Sequence, residues 1–118
     1  MNQVPKKIHA RFDLIYEEGD LVSQQFPTDV GTIDILAKHK NNNSYLVIEL
    51  KKGRSSDSVV GQILRYIAWV RKEMANGKEV NGLIIVPEVD KKLELSLSDQ
   101  TNIGLMIYKI NFKLMKHK

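Results

Sequence analysis

The sequence predicts an α/β domain: a mixed β-sheet flanked by helices. Three observations predict it. Thr32 to Lys38 and Tyr45 to Lys52 alternate in hydropathy with a period of two, the mark of strands. Val59, Val60, Ile63, Leu64, Ile67, Val70 and Met74 recur at helical spacing, the mark of an amphipathic helix. Leu83-Ile84-Ile85-Val86, stopped by Pro87, is a short apolar run suited to a strand buried on both faces.

Taken in order, the chain opens with an ambiguous segment up to about Glu18. Ile8, Phe12 and Ile15 fall at i, i+4 and i+7, with Pro5 placed to open a short helix over about 5–18 and Gly19 to close it. A short strand follows from Asp20 to Pro27, then a turn at Pro27-Thr28-Asp29-Val30-Gly31. In the next strand Ile33, Ile35 and Ala37 are expected on one face, and Thr32, Asp34, Leu36 and Lys38 on the other. His39 to Ser44 is polar and reads as a hairpin loop. In the partner strand Tyr45, Val47, Glu49 and Lys51 share one face, and Leu46, Ile48 and Leu50 the other.

Gly53-Arg54-Ser55-Ser56-Asp57 is a turn ending in good N-cap residues. The clearest helix runs from about Asp57 to Asn76, with Gly77 suited to the C′ position. Val80 to Val86 is the next strand, Val89 to Leu97 a second helix, and Ile103 to Leu114 a final strand with Met106, Tyr108, Ile110, Phe112 and Leu114 alternating. Strand–helix–strand units imply parallel neighbours with right-handed crossovers.

Composition bounds the function. The chain has 118 residues, 18 Lys+Arg against 14 Asp+Glu, a net charge of +4 and no cysteine. That length suits one domain, here 1–118. Without cysteine there is no disulfide scaffold, thiol nucleophile, Cys-ligated zinc or iron–sulfur cluster. His9, His39 and His117 have no metal-ligand spacing. A metal would be held by carboxylates and would be a hard ion such as magnesium or manganese. No apolar run approaches the ~20 residues of a bilayer span, and the start has no apolar signal region. The expectation is a cytoplasmic protein without a membrane partner.

The chemistry-bearing residues are Asp34, Glu49 and Lys51. Glu49 and Lys51 leave the same face of a strand that is otherwise apolar, and a charge in such a run must be paired or bound to a metal. If the hairpin turn centres between Asn41 and Asn42, Asp34 sits opposite Glu49; a shift of two puts it opposite Lys51, and a shift of one sends it to the other face. Two carboxylates on neighbouring strands can share a divalent cation, while an ammonium orients a water or offsets charge on a phosphate. The same three residue types also build ordinary cross-strand salt bridges. Gln62 and Tyr66, at i and i+4, share a helix face and interrupt the apolar stripe. Lys52, Arg54 and Arg65 form a basic surround suited to phosphates, or a solvated loop. Trp69 reads as a core aromatic.

Gly31-Thr32-Ile33-Asp34-Ile35-Leu36-Ala37, Val47-Ile48-Glu49-Leu50-Lys51-Lys52-Gly53 and Gly61-Gln62-Ile63-Leu64-Arg65-Tyr66 together resemble the PD-(D/E)XK nuclease superfamily. The resemblance is closest to the RecB-like nuclease domain at the C-terminal end of NucS-type (EndoMS) endonucleases, and runs from about Asp20 to Leu114. It implies a restriction-endonuclease-like fold and a magnesium- or manganese-dependent endonuclease acting on nucleic acid, DNA more than RNA. It implies Asp34, Glu49 and the backbone carbonyl of Leu50 as metal ligands, and Lys51 as the group positioning the attacking water. Gln62 would stand beside the metal and complete the catalytic set, with Tyr66 facing the nucleic-acid backbone beside Lys52, Arg54 and Arg65. Many relatives carry a further acid on a preceding helix; here only Asp13, Glu17 and Glu18 are available, none in a convincing motif. The domain is normally fused to another, so a homodimer or a partner domain or subunit is expected. The alternative is a catalytically inactive module of the same fold that binds DNA or a protein.

Overall fold

The computed structural model describes residues 19–39, 41–53, 58–109 and 113–117. Five strands form one sheet in the order β1-β2-β3-β4-β5: Gly19–Thr28, Gly31–His39, Tyr45–Leu50, Val80–Val86 and Ile103–Ile107. The first three form an antiparallel meander, and β4 and β5 join it in parallel. Helix α1 spans Ser58–Glu73, between β3 and β4, and α2 spans Lys91–Leu97, between β4 and β5. The α/β class and the mixed sheet are as expected.

Each helix has a local cause. The buried residues of α1 are Val59, Val60, Ile63, Tyr66, Ile67 and Val70, a stripe at helical period. Helix α1 ends at Glu73, short of the expected Asn76, so left-handed Asn76 and Gly77 (φ 49° and 84°) form the turn beyond it and Gly77 is not at C′. Helix α2 is capped by Asp90, whose side chain accepts from the Leu93 N–H at 2.8 Å.

Both described helices bury their apolar residues in a single cluster with Leu36, Val47, Ile84 and Val86. They therefore cover one face of the sheet rather than one face each. Strand order runs steadily from β3 to β5, so successive crossovers of the same hand fall on the same side. Gly82 allows the close approach: a Cβ there would stand 2.8 Å from Ile67 Cδ1 and 2.9 Å from Ile63 Cδ1. The opposite face carries a second cluster of Ile35, Ile48, Leu83 and Ile85, with Leu46, Leu50, Met106 and Tyr108 packed against it.

Two further expectations change, and one falls outside the described residues. The last strand ends at Ile107 instead of Leu114; residues 113–117 are outside any strand, and 110–112 lie outside the described residues. The expected N-terminal helix over about 5–18, with Asp13, Glu17 and Glu18, also lies outside them. Ile33, expected beside Ile35, packs in the helix-side cluster with Leu36. The alternation breaks between Ile33 and Ile35, across from Gln25 of β1, whose φ of 52° is left-handed. The β1–β2 register runs on without a shift there, pairing Gln24 with Ile35 and Phe26 with Ile33; its one shift lies earlier, between Leu21 and Ser23.

Candidate active site

The β2–β3 register pairs Ile35 with Ile48 and continues to Lys38 with Tyr45. One step further it sets Asp34 across from Glu49, the first of the alternatives left open by the sequence. There the regular ladder stops and the side chains take over. The Asp34 N–H donates to Glu49 Oε2 at 3.0 Å, and the Leu50 N–H donates to Asp34 Oδ2 at 2.9 Å. Each carboxylate thus holds a backbone donor of the facing strand.

Glu49 is only 1 % exposed, the sole buried charged residue among those described. Burial pushes its carboxyl up to about 7. The Asp34 N–H pulls it down, the Asp34 charge pushes it up again, and the Lys51 ammonium pulls it down. A counter-charge placed beside such a carboxyl would favour its charged form.

Lys51 lies just past the end of β3. Its N–H still donates to the Ile85 carbonyl at 2.9 Å, so the backbone stays tied to β4. Its ammonium donates to Gln62 Oε1 at 3.1 Å, and Gln62 Nε2 donates to the Tyr66 hydroxyl at 3.2 Å. The i, i+4 pair on α1 therefore forms a relay ending on Lys51. Gly31 closes the far end: its φ is 132°, and a Cβ there would stand 2.5 Å from the Tyr66 hydroxyl oxygen. Only glycine admits both that backbone and that contact.

The sequence-predicted residues separate into groups. Asp34, Glu49, Leu50, Lys51 and Gln62 come together through the bonds just given. Tyr66 joins them by its hydroxyl, but its ring is 3 % exposed and sits in the core. Tyr66 was expected to face a nucleic-acid backbone; the stripe of α1 turns it inward, with its hydroxyl on Gln62. Lys52 and Arg65 are exposed, and Arg54 lies outside the described residues. Trp69 is a packing residue as expected: half-buried, edge-on to Phe26 with ring centroids 6.1 Å apart, its indole N–H donating to Asp29.

The oxygens not used in these bonds, Asp34 Oδ1 and Glu49 Oε1, and the Leu50 carbonyl are hard donors. By strand alternation the Leu50 carbonyl faces the same side as its N–H, toward Asp34. Such a set fits magnesium or manganese, which keep several waters and take one or two carboxylates. Among the described residues there is no group of three or more acidic or histidine side chains.

The chain matches the family model described as the endonuclease NucS C-terminal domain over residues 2–116. It belongs to that family. Over 99 residues it is 27% identical to the endonuclease NucS of Methanocaldococcus jannaschii, covering 84% of this chain and 37% of the relative. It is 29% identical over 101 residues to the NucS of Sulfolobus acidocaldarius, covering 77% of this chain and 39% of the relative. The chain thus spans less than half the length of the curated NucS proteins it matches. Its fold is that of a repair endonuclease from Pyrococcus abyssi, with a TM-score of 0.68 at 19% identity over 88% of this chain and 44% of that one. An EndoMS complex with double-stranded DNA shares the fold at a TM-score of 0.67 and 15% identity, over 95% of this chain and 48% of that one. Among the described residues, no helix is long and apolar enough to cross a membrane.

The sequence reading missed two contacts. One is the acceptor role of Asp34 toward the Leu50 N–H, which no residue type signals. The other is the Gly31–Tyr66 approach, whose one signal was a glycine at the head of a strand.

Proposed function

We propose that this NucS-type domain is a PD-(D/E)XK nuclease core that hydrolyses phosphodiester bonds of DNA with magnesium or manganese. The observation that carries the reading is the mutual hold of Asp34 and Glu49 on each other's strands, beside a lysine whose ammonium is already positioned. The DNA-bound structural relative and the names of the curated relatives support the substrate class.

In this reading Asp34, Glu49 and the Leu50 carbonyl hold the cation. The ion supplies Lewis-acid polarisation of the phosphate and a more acidic water. Asp34 and Glu49 hold their free oxygens in place by spending the other on a backbone N–H. Lys51 orients the attacking water and offsets charge developing on the phosphate. Gln62 holds the Lys51 ammonium, and Tyr66 holds Gln62. Exposed Lys52 and Arg65 contact phosphates and supply salt-dependent affinity. No cysteine, histidine or covalent intermediate is needed.

The test is cleavage of end-labelled single- and double-stranded DNA by the 118-residue chain with Mn2+, beside the Asp34→Ala and Glu49→Ala variants. Metal-dependent cleavage by the parent alone is expected. Cleavage at the parent rate by Glu49→Ala would overturn the assignment. The second reading, a binding module without catalysis, is favoured by the lack of a third acidic side chain at the pair among the described residues. It would show as salt-sensitive DNA binding with no Mn2+-dependent product. A dimer or a partner domain completing the protein belongs with either reading.

A further inference from the structure

We propose that Tyr108, from the far face of the sheet, is a positioning residue that acts through Lys51; the proposal rests on the nuclease reading above. Tyr108 immediately follows β5 and is half-buried against Ile35, Ile48, Leu83 and Ile85, away from the helices. Its own N–H donates to the Val86 carbonyl at 3.0 Å, which carries the β4–β5 pairing one residue further. Its hydroxyl donates to the Lys51 carbonyl at 3.1 Å and stands 3.4 Å from the Lys52 carbonyl.

Strand β3 ends at Leu50, and the residue after β4 in line to donate to the Lys51 carbonyl is Pro87, which has no N–H. Beyond that point Lys51 has its N–H on Ile85 and its carbonyl on Tyr108. The hydroxyl therefore does for the carbonyl what a backbone N–H at that position would otherwise do. At the other end of the residue the ammonium is held by Gln62. A lysine stem is long and freely rotating, so an ammonium is placed only if both its tip and its Cα are fixed. Gln62 fixes the tip, and Tyr108 fixes the root. Small displacements of a positioning group are costly in rate. The device leaves Asp34 and Glu49 untouched, so it acts on the water-orienting side of the site and not on the cation.

The test is Tyr108→Phe, which keeps the ring and deletes the hydroxyl. In the full chain, single-turnover cleavage at saturating Mn2+ and DNA is expected to fall about ten-fold. Mn2+ affinity by calorimetry and the Kd for DNA are expected to stay at parent values, a split that general loosening of the fold would not produce. In metal-free protein with 15N-labelled lysine, the Lys51 ammonium resonance is expected to shift or broaden. An unchanged cleavage rate with the parent active, or a loss of Mn2+ affinity matching the loss of rate, would overturn the proposal and leave the nuclease reading standing. If the parent cleaves no DNA, the nuclease reading falls, and the ammonium resonance then decides the contact: an unmoved signal in Tyr108→Phe overturns it.

Discussion

The backbone N–H of Asp34 donates to Glu49 Oε2 across 3.0 Å, where the ladder between β2 and β3 gives out. The return bond, from the Leu50 N–H to Asp34 Oδ2, makes the exchange reciprocal. Two carboxylates that repel each other are thus held facing one another by the backbone donors the strands release. The two bonds form without any cation, so a cation would meet a preformed pair.

The first prediction concerns pH in metal-free protein. Glu49 has its carboxyl raised to about 7, so the folded chain binds a proton that the unfolded chain releases near pH 4.5. Between those values the folded state holds more protons, and stability falls as pH rises. The contribution is fully present below about pH 4.5 and gone above about pH 7, a loss of about 3 kcal/mol at most. Urea denaturation in EDTA from pH 4 to 8 is expected to show this slope, and Glu49→Gln to abolish it. Adding Mn2+ at pH 7.5 is expected to restabilise the parent but not the variant.

Asp34 separates charge from shape. Asp34→Asn keeps an oxygen to accept from the Leu50 N–H and removes the charge. The variant is expected to fold as the parent does, to bind Mn2+ at least about ten-fold more weakly, and to lose cleavage. Calorimetric titration with Mn2+ checks it; parent-like affinity would remove Asp34 from the ligand set.

Gln62 is expected to matter for rate more than for stability. Gln62→Met strips the acceptor from Lys51 and the donor from Tyr66 at a half-buried position. A cost of about 1 kcal/mol in folding and about a ten-fold loss of cleavage are expected. Gln62→Glu keeps an acceptor for Lys51 and is expected to retain more activity than Gln62→Met in the same assay.

Two glycines test the packing that sets the site. Gly31→Ala must adopt φ near 132° and press on the Tyr66 hydroxyl, which is expected to cost about 1–3 kcal/mol and to disturb the Gln62 relay. Gly82→Val forces Ile63 and Ile67 away from β4, at a cost of about 1–3 kcal/mol. Thermal melts should show both losses, but only Gly31→Ala should lower the cleavage rate per folded molecule.

Much of this was legible in the residues. Val80–Val86 is a strand at its expected bounds, because an apolar run with a terminal proline has few other uses. The alternation of Tyr45 to Leu50 put Val47 and Glu49 on the helix side and Ile48 on the other. Ile33 broke the same rule beside left-handed Gln25 of the neighbouring strand, a backbone feature that hydropathy does not encode. Tyr66 was legible as a helix neighbour of Gln62 but not as a core residue. A tyrosine is amphipathic, and burial of its ring depends on what packs above it.

By itself, then, the sequence determined the elements, their order and the residue types of the site, because hydropathy period and motif spacing are local properties. It also excluded thiol chemistry, since the chain has no cysteine. The tertiary structure alone decided the register that sets Asp34 against Glu49, the burial that lifts the Glu49 carboxyl, the shared face of the two helices, and the reach of Tyr108 to Lys51. Those are contacts between residues 15 to 57 positions apart. Their energy comes from excluding water and completing hydrogen bonds between segments, and no local pattern encodes which segments will meet.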